Sequence, residues 1–318
     1  MKKIALFLSL SAAMAVAAAA ETPAAAAGEI ESHPRLTLQI TTQPAAKLIF
    51  DWRFVFPFLR GDGPLTRGNN VSVAPGVELT PVSFAFTLNA AWTPIAFLEV
   101  VAGGRIGSGW TADILGGRVH GIGLNLPTED GGWRHDGGTL DGAQWELRGG
   151  AALQASLSAF VPGKWGDVVA RSFHGLRLEG YSRGAGGRPW FFENDDGQNR
   201  NGLAYVGNLF VGYQMPIPLS MVGLLAEANA LFSGPRSPGR SRADFGDDAA
   251  RWTFSALLNF SVTERFDVAL ISQFRARANF ADGIGREWRD ADHFTLREAT
   301  GSRRLEFHRA IASLSYRF

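Results

Sequence analysis

Along most of this chain apolar and polar side chains alternate with a period of two. In Lys47–Phe58, one face carries Leu48, Phe50, Trp52, Phe54, Phe56 and Phe58, and the other carries Lys47, Asp51 and Arg53. Val82–Trp92 repeats the pattern, with Val82, Phe84, Phe86, Leu88 and Trp92 against Ser83, Thr87 and Asn89. Ala96–Ile106, Gln144–Val161, Arg251–Val262 and Phe266–Phe280 do the same. A helix repeats near 3.6 residues and cannot sort side chains this way, whereas a strand sends successive side chains to opposite faces. The chain is therefore predicted to be all-β, each strand having one wet and one apolar face.

A water-soluble sandwich would alternate too. Length argues against it: the segments run 11–18 residues, against about five or six for a soluble strand. Eleven residues at a rise of ~3.3 Å and a tilt of ~45° cover roughly 25 Å, the height of a membrane barrel's apolar band. Connections alternate as well. Tight turns are read at 93–95, 162–164, 216–218 and 263–265, and long polar, glycine-rich loops at 108–143, 184–202, 233–249 and 281–302. Aromatics collect near both ends: Trp92, Tyr213, Phe260, Phe266, Tyr316 and Phe318 by the tight turns, and Trp145, Tyr205, Phe232, Trp252 and Phe280 by the long loops. Such bands suit rings that meet both lipid and headgroup.

The chain ends Ala312-Ser313-Leu314-Ser315-Tyr316-Arg317-Phe318. A terminal aromatic with apolar residues at every second position resembles the assembly signal of bacterial outer-membrane β-barrel proteins, and the likeness covers residues 35–318. Ser313 departs from it, standing near where the family often has glycine. The resemblance implies an up-and-down transmembrane β-barrel with a periplasmic C-terminus, set in outer-membrane lipid. It also implies insertion by the barrel-assembly machinery, with Leu314, Tyr316 and Phe318 as the signal. It does not specify an activity.

Counted back from Phe318, strands are expected at 303–318, 266–280, 250–262, 219–232, 203–215, 166–183, 144–161 and 96–107. Upstream, 70–93 reads as one strand or as two divided at Thr80-Pro81, where the apolar phase slips. With the division, and with 35–43 and 46–58, the barrel has twelve strands; without it, and without 35–43, ten. Twelve is preferred, and both numbers are even, as single-chain bacterial barrels require.

The first twenty residues read as a cleaved export signal: Lys2 and Lys3, an apolar core from Ile4 to Val16, and small residues Ala18 and Ala20 before Glu21. Residues 21–34 read as a tether. Without Lys2 and Lys3 the 31 basic residues become 29 against 30 acidic ones, and so balanced a chain is a poor fit to nucleic acid. Absent cysteine excludes disulfides, thiolate metal sites and lipidation of the leader.

With lipid outside, the polar faces point into the lumen. The pore-lining candidates are Asp51, Arg53, Glu99, Arg105, Glu146, Arg148, Arg177, Glu179, Glu227, Gln273, Arg275, Arg277 and Asn279. Opposed charges suggest either a constriction selecting small hydrophilic solutes or a salt-bridged filling of the bore. A channel is the first expectation, and a closed barrel acting through its loops, 108–143 above all, is the alternative.

Enzymes are the third reading. Ten-stranded outer-membrane proteases of the omptin type use Asp and His at the extracellular rim, and here Asp195-Asp196 and Asp290-Ala291-Asp292-His293 lie in long loops. Adjacent acids in solvated loops are ordinary surface, and a base must reach its proton. Phospholipase-type barrels need a Ser and a His together near lipid. His308 and Ser313 share the last strand but fall on opposite faces, so no catalytic residues are assigned. His33, His120, His135, His174 and His293 lack metal-ligand spacing, and no metal or cofactor is expected.

Overall fold

Each alternating stretch becomes one stave of a barrel. The computed structural model describes residues 30–42, 45–114, 116–159, 167–193, 199–233, 250–280, 286–290, 292–296 and 299–318. The predicted leader, most of the tether, the turn at 162–164, Asp195-Asp196 and nearly all of loop 233–249 lie outside them.

The staves are β1 Glu31–Thr41, β2 Ala45–Pro57, β3 Asn70–Thr80, β4 Ser83–Ile95, β5 Leu98–Gly109 and β6 Gln144–Ser156. They continue with β7 Asp167–Tyr181, β8 Gly202–Gln214, β9 Leu219–Ser233, β10 Arg251–Ser261, β11 Phe266–Phe280 and β12 Ala299–Arg317. Among the described residues every stave pairs antiparallel with its neighbours in sequence, and β1 pairs with β12 to close a twelve-stranded barrel. Closure leaves no unpaired edge, which hydrocarbon would not tolerate. The phase slip at Thr80-Pro81 is a true division: β3 and β4 form a hairpin whose last pair is Thr80 with Ser83, and proline has no amide hydrogen with which to extend a ladder.

Several expectations change: the turn read at 93–95 is the end of β4, and the last stave begins at Ala299 rather than at 303. The first stave starts at Glu31, because β2 offers partners down to Val55, so the last four residues of the predicted tether are strand. The stave expected over 144–161 stops at Ser156 and enters a 3-10 turn at Leu157–Ala159, where the Asp167 carboxylate accepts the Ser158 amide at 2.8 Å. Loop 108–143 has secondary structure of its own: Thr111–Ile114 pairs with Gly117–His120, and Ile122–Pro127 with Trp133–Gly137.

Side chains sort by parity as predicted. Leu48, Phe50, Trp52, Phe86, Leu88, Leu147, Leu153, Leu209 and Leu270 all face outward and exposed, although they are large and apolar. Trp92, Tyr213, Tyr316 and Phe318 are exposed at the rim that holds both ends of the barrel, and Trp252 at the opposite, loop-bearing rim.

The inward faces are layered. Leu257, Ile271 and Ile311 stand in one register row across β10, β11 and β12. With Val169, Phe210, Met221, Leu225 and Ala269 they make a buried apolar cluster inside the barrel. One row towards the loop rim stand Ser255, Gln273 and Arg309; one row towards the terminal rim stand Asn259, Ala269 and Ser313.

Candidate functional site

The β1–β7 half of the lumen is built from charge. Arg35 reaches from β1 to Asp51 on β2, with Nε 3.1 Å from Oδ2 and Nη2 3.2 Å from Oδ1. Arg53 bonds Ser72 at 3.4 Å. Arg171 on β7 spans β6 to meet Glu99 on β5 at 2.7 Å, passing Ala152, which is too small to block it. Arg177 pairs with Glu179 at 3.0 Å on its own strand, as same-face neighbours two apart can. Arg148 instead donates to Asn89 at 2.5 Å and stays 3.9 Å from Glu146. Gly103 lets it pass, since a Cβ there would stand 2.8 Å from Asn89 Oδ1 and 3.1 Å from Arg148 Nε. Many of these groups are only half-buried: Arg35 and Asp51 keep 27% and 21% of their side-chain surface.

The β8–β12 half is different. Gln273 is fully buried, accepting Arg309 Nε at 2.6 Å and donating to Ser255 at 3.2 Å. Arg275 stands in the row of Thr253 and Glu306, and Glu227 is buried. Beneath Gln273 the apolar row begins, so the predicted polar ladder 273–279 ends on a packed layer. The side chains of Arg277 and Asn279 lie outside the described residues.

Over the loop rim three loops share one sheet. Its order is Trp190–Phe192, Ile122–Pro127, Trp133–Gly137, His293–Leu296, Arg286–Trp288, drawn from the loops after β7, β5 and β11. The cap has a core of Ile122, Leu124, Tyr181, Trp190 and Phe192. Gly121 seats it closely, for a Cβ there would fall 1.8 Å from the Val82 carbonyl oxygen.

One carboxylate joins the cap to the lumen. Glu193 follows the cap strand Trp190–Phe192 and enters between Lys47 on β2 and Arg105 on β5. Its Oε2 lies 2.7 Å from Lys47 Nζ, and its Oε1 accepts Arg105 Nη2 at 2.7 Å and Ser83 Oγ at 3.2 Å. Glu78 shares both cations, at 3.0 Å from Lys47 Nζ and 2.8 Å from Arg105 Nη2, and Gln144 accepts Arg105 Nη1 at 3.2 Å. Phe192 lies under the Arg105 guanidinium, 4.6 Å from ring centroid to Cζ. Lys47, Glu78, Arg105 and Glu193 are all buried. In such a place each charge depends on its partners, because an unmatched buried charge costs several kcal/mol.

Sequence reasoning found Arg105 but missed Lys47 and Glu78, which share the polar phase, and Glu193, whose loop carries no periodic signal. It also missed a lipid-facing group. Ser172 Oγ lies 3.0 Å from His174 Nε2, and His174 Nδ1 lies 2.6 Å from the Tyr205 hydroxyl. The i,i+2 spacing on an outward face was the available sign. His174 pairs with Ala151 and Gly207 midway along its stave, at the depth where hydrocarbon excludes water, so these groups satisfy one another. Of the residues weighed for protease chemistry, Asp290 accepts the Asp292 and His293 amides at 2.8 and 2.9 Å. Asp292 binds His120 Nε2 at 2.8 Å, tying two loops of the cap. His308 falls at a register break in β12 and is buried, as is Ser313.

An even, closed ring of long staves, greasy outside and charged within, fits only a bilayer with water on both sides. The chain is a closed twelve-stranded barrel of the transmembrane type. No family model and no curated protein matches its sequence. Among solved structures the barrel is similar to KdgM porin, at 11% identity and a TM-score of 0.34 over 91% of this chain and 99% of that one. It is likewise similar to the β domain of the Bordetella autotransporter Brka, at 12% identity and a TM-score of 0.37 over 92% and 99%. CdiB from Acinetobacter baumannii matches at 8% identity and a TM-score of 0.32, over 91% of this chain and 60% of that one. Likeness at this level carries no functional weight, so the assignment stands on the barrel's own geometry.

Proposed function

We propose that the protein is a channel of the bacterial outer membrane for small hydrophilic solutes, shut at its extracellular mouth by its own loops. The observation that carries this reading is the half-buried seam of charge along β1–β7, lying under a cap whose anchor is an ion pair. A barrel that only needed filling would be served better by the apolar packing seen on β8–β12, since buried ion pairs are poor stabilisers. Solute would follow the charged side of the bore, with Asp51, Arg53, Glu99, Arg148, Arg177 and Glu179 along its path. Catalysis has no part in this reading. Outer-membrane lipid surrounds the staves, and the barrel-assembly machinery inserts the chain through Leu314, Tyr316 and Phe318.

The test is conductance in planar bilayers. The intact protein is expected to pass little current, and replacement of residues 185–200 by a short glycine-serine turn should raise it at least tenfold. A correctly folded shortened barrel that stays silent would overturn the channel. It would favour the second reading, a closed barrel acting through its loops, for which the packed cluster around Phe210 speaks.

A further inference from the structure

The contacts of Glu193 are those of a bound ligand. Its two carboxylate oxygens are met separately, one by Lys47 and the other by Arg105 and Ser83, which is how a planar two-oxygen anion is gripped. Its backbone is strained to deliver it: φ at Glu193 is 54°, a left-handed conformation that a residue with a Cβ adopts at a cost. The charges balance only while it is present. Lys47 and Arg105 supply two positive charges against Glu78 and Glu193, two negative. Without Glu193 the count among these contacting groups is two against one, an opening for a single anion; Glu146, 3.9 Å from Arg148, is the next acid nearby. Lys47, Ser83 and Arg105 stand on staves β2, β4 and β5 and not on the loop that carries Glu193.

We infer that Lys47, Ser83 and Arg105 form a carboxylate-binding site in the lumen, which Glu193 fills as a tethered surrogate. A solute bearing a carboxylate takes the site when the loop withdraws. The site stands on the contacts alone; its use in admitting carboxylated solutes rests on the channel reading above.

The test uses the full chain refolded into phosphatidylcholine vesicles near pH 7. Glu193→Gly removes the carboxylate and accepts the left-handed φ without strain, whereas Glu193→Gln keeps the site filled. Unfolding midpoints are measured at constant ionic strength in sodium acetate, sodium chloride, sodium sulfate and acetamide. Acetate is expected to raise the midpoint of Glu193→Gly saturably, with a smaller response to sulfate and none to chloride or acetamide. Wild type and Glu193→Gln should not respond, and adding Lys47→Gln to Glu193→Gly should abolish the effect. An equal response to acetate and chloride, or an equal acetate response in wild type, would overturn the site. If Glu193→Gly does not refold, the readout moves to wild type with residues 185–200 shortened, where acetate must again outdo chloride. Acetate binding in a shortened barrel that carries no current would keep the site and discard the channel; current without acetate binding would do the reverse.

Discussion

Leu209 and Phe210 are neighbours in β8 with opposite fates: Leu209 is 51% exposed and Phe210 is 1% exposed. Leu209 stands four residues from Tyr205 and four from Tyr213 on the outer face. At a rise of ~3.4 Å and a tilt of ~45° that places it about 10 Å from each, near the midplane of the apolar band. Arginine there should cost about 2–4 kcal/mol. In a protein whose outer face met water the same change would be nearly free. Phe210 lies in the lumen cluster with Met221, Leu225 and Leu257, so Phe210→Ala should cost about 3–5 kcal/mol through lost burial and the cavity left behind. Guanidinium unfolding of each variant in lipid vesicles, followed by tryptophan fluorescence, would measure both. A Leu209→Arg midpoint indistinguishable from wild type would reverse the barrel's inside and outside. A Phe210→Ala loss below about 1 kcal/mol would show that the cluster is not packed.

The exposed carboxyl of Asp130 in the cap is held down at about 2 by hydrogen bonds from the Thr128 hydroxyl, the Arg289 guanidinium and the Gly132 amide. Its folded pKa lies below its unfolded value of about 3.9, so its contribution is whole above pH ~4 and is lost as pH falls towards 2. Amide exchange at residues 129–133, corrected for intrinsic rates, should therefore quicken across that window, and Asp130→Asn should remove the dependence. Deleting Phe318 is expected to lower the amount of assembled barrel in the outer membrane severalfold without changing its stability once folded. Heat-modifiable mobility of membrane fractions reads the first quantity and unfolding in vesicles the second.

Most of the wall was legible in the sequence. A period of two, held for eleven residues or more, fixes strand, face and length together, because a stave has only two sides and the bilayer has one thickness. Even the division at Thr80-Pro81 showed as a slip of phase. The ends were harder: β1 gains Glu31 and its neighbours only because β2 offers them partners, and the stave after Gln144 ends where Asp167 folds the chain back. Pairs within a strand were visible as spacing, yet Arg148 donates to Asn89 and stays 3.9 Å from Glu146, and Arg171 reaches Glu99 across the stave between them. Such choices depend on which strands are neighbours.

Ile271 shares the inward phase of Gln273 two residues on, and alternation does not tell a wet wall from a packed one. The same holds for Lys47 and Glu78, whose phase was plain and whose meeting was not. The cap lay wholly beyond local reading. Its strands are three to six residues long and come from three loops far apart in sequence, so no single stretch carries a pattern long enough to read. Their sheet exists because the barrel brings those loops to one rim, and Glu193 finds Lys47 and Arg105 only there. Local alternation settles where each side chain points; closure of the ring settles what it meets.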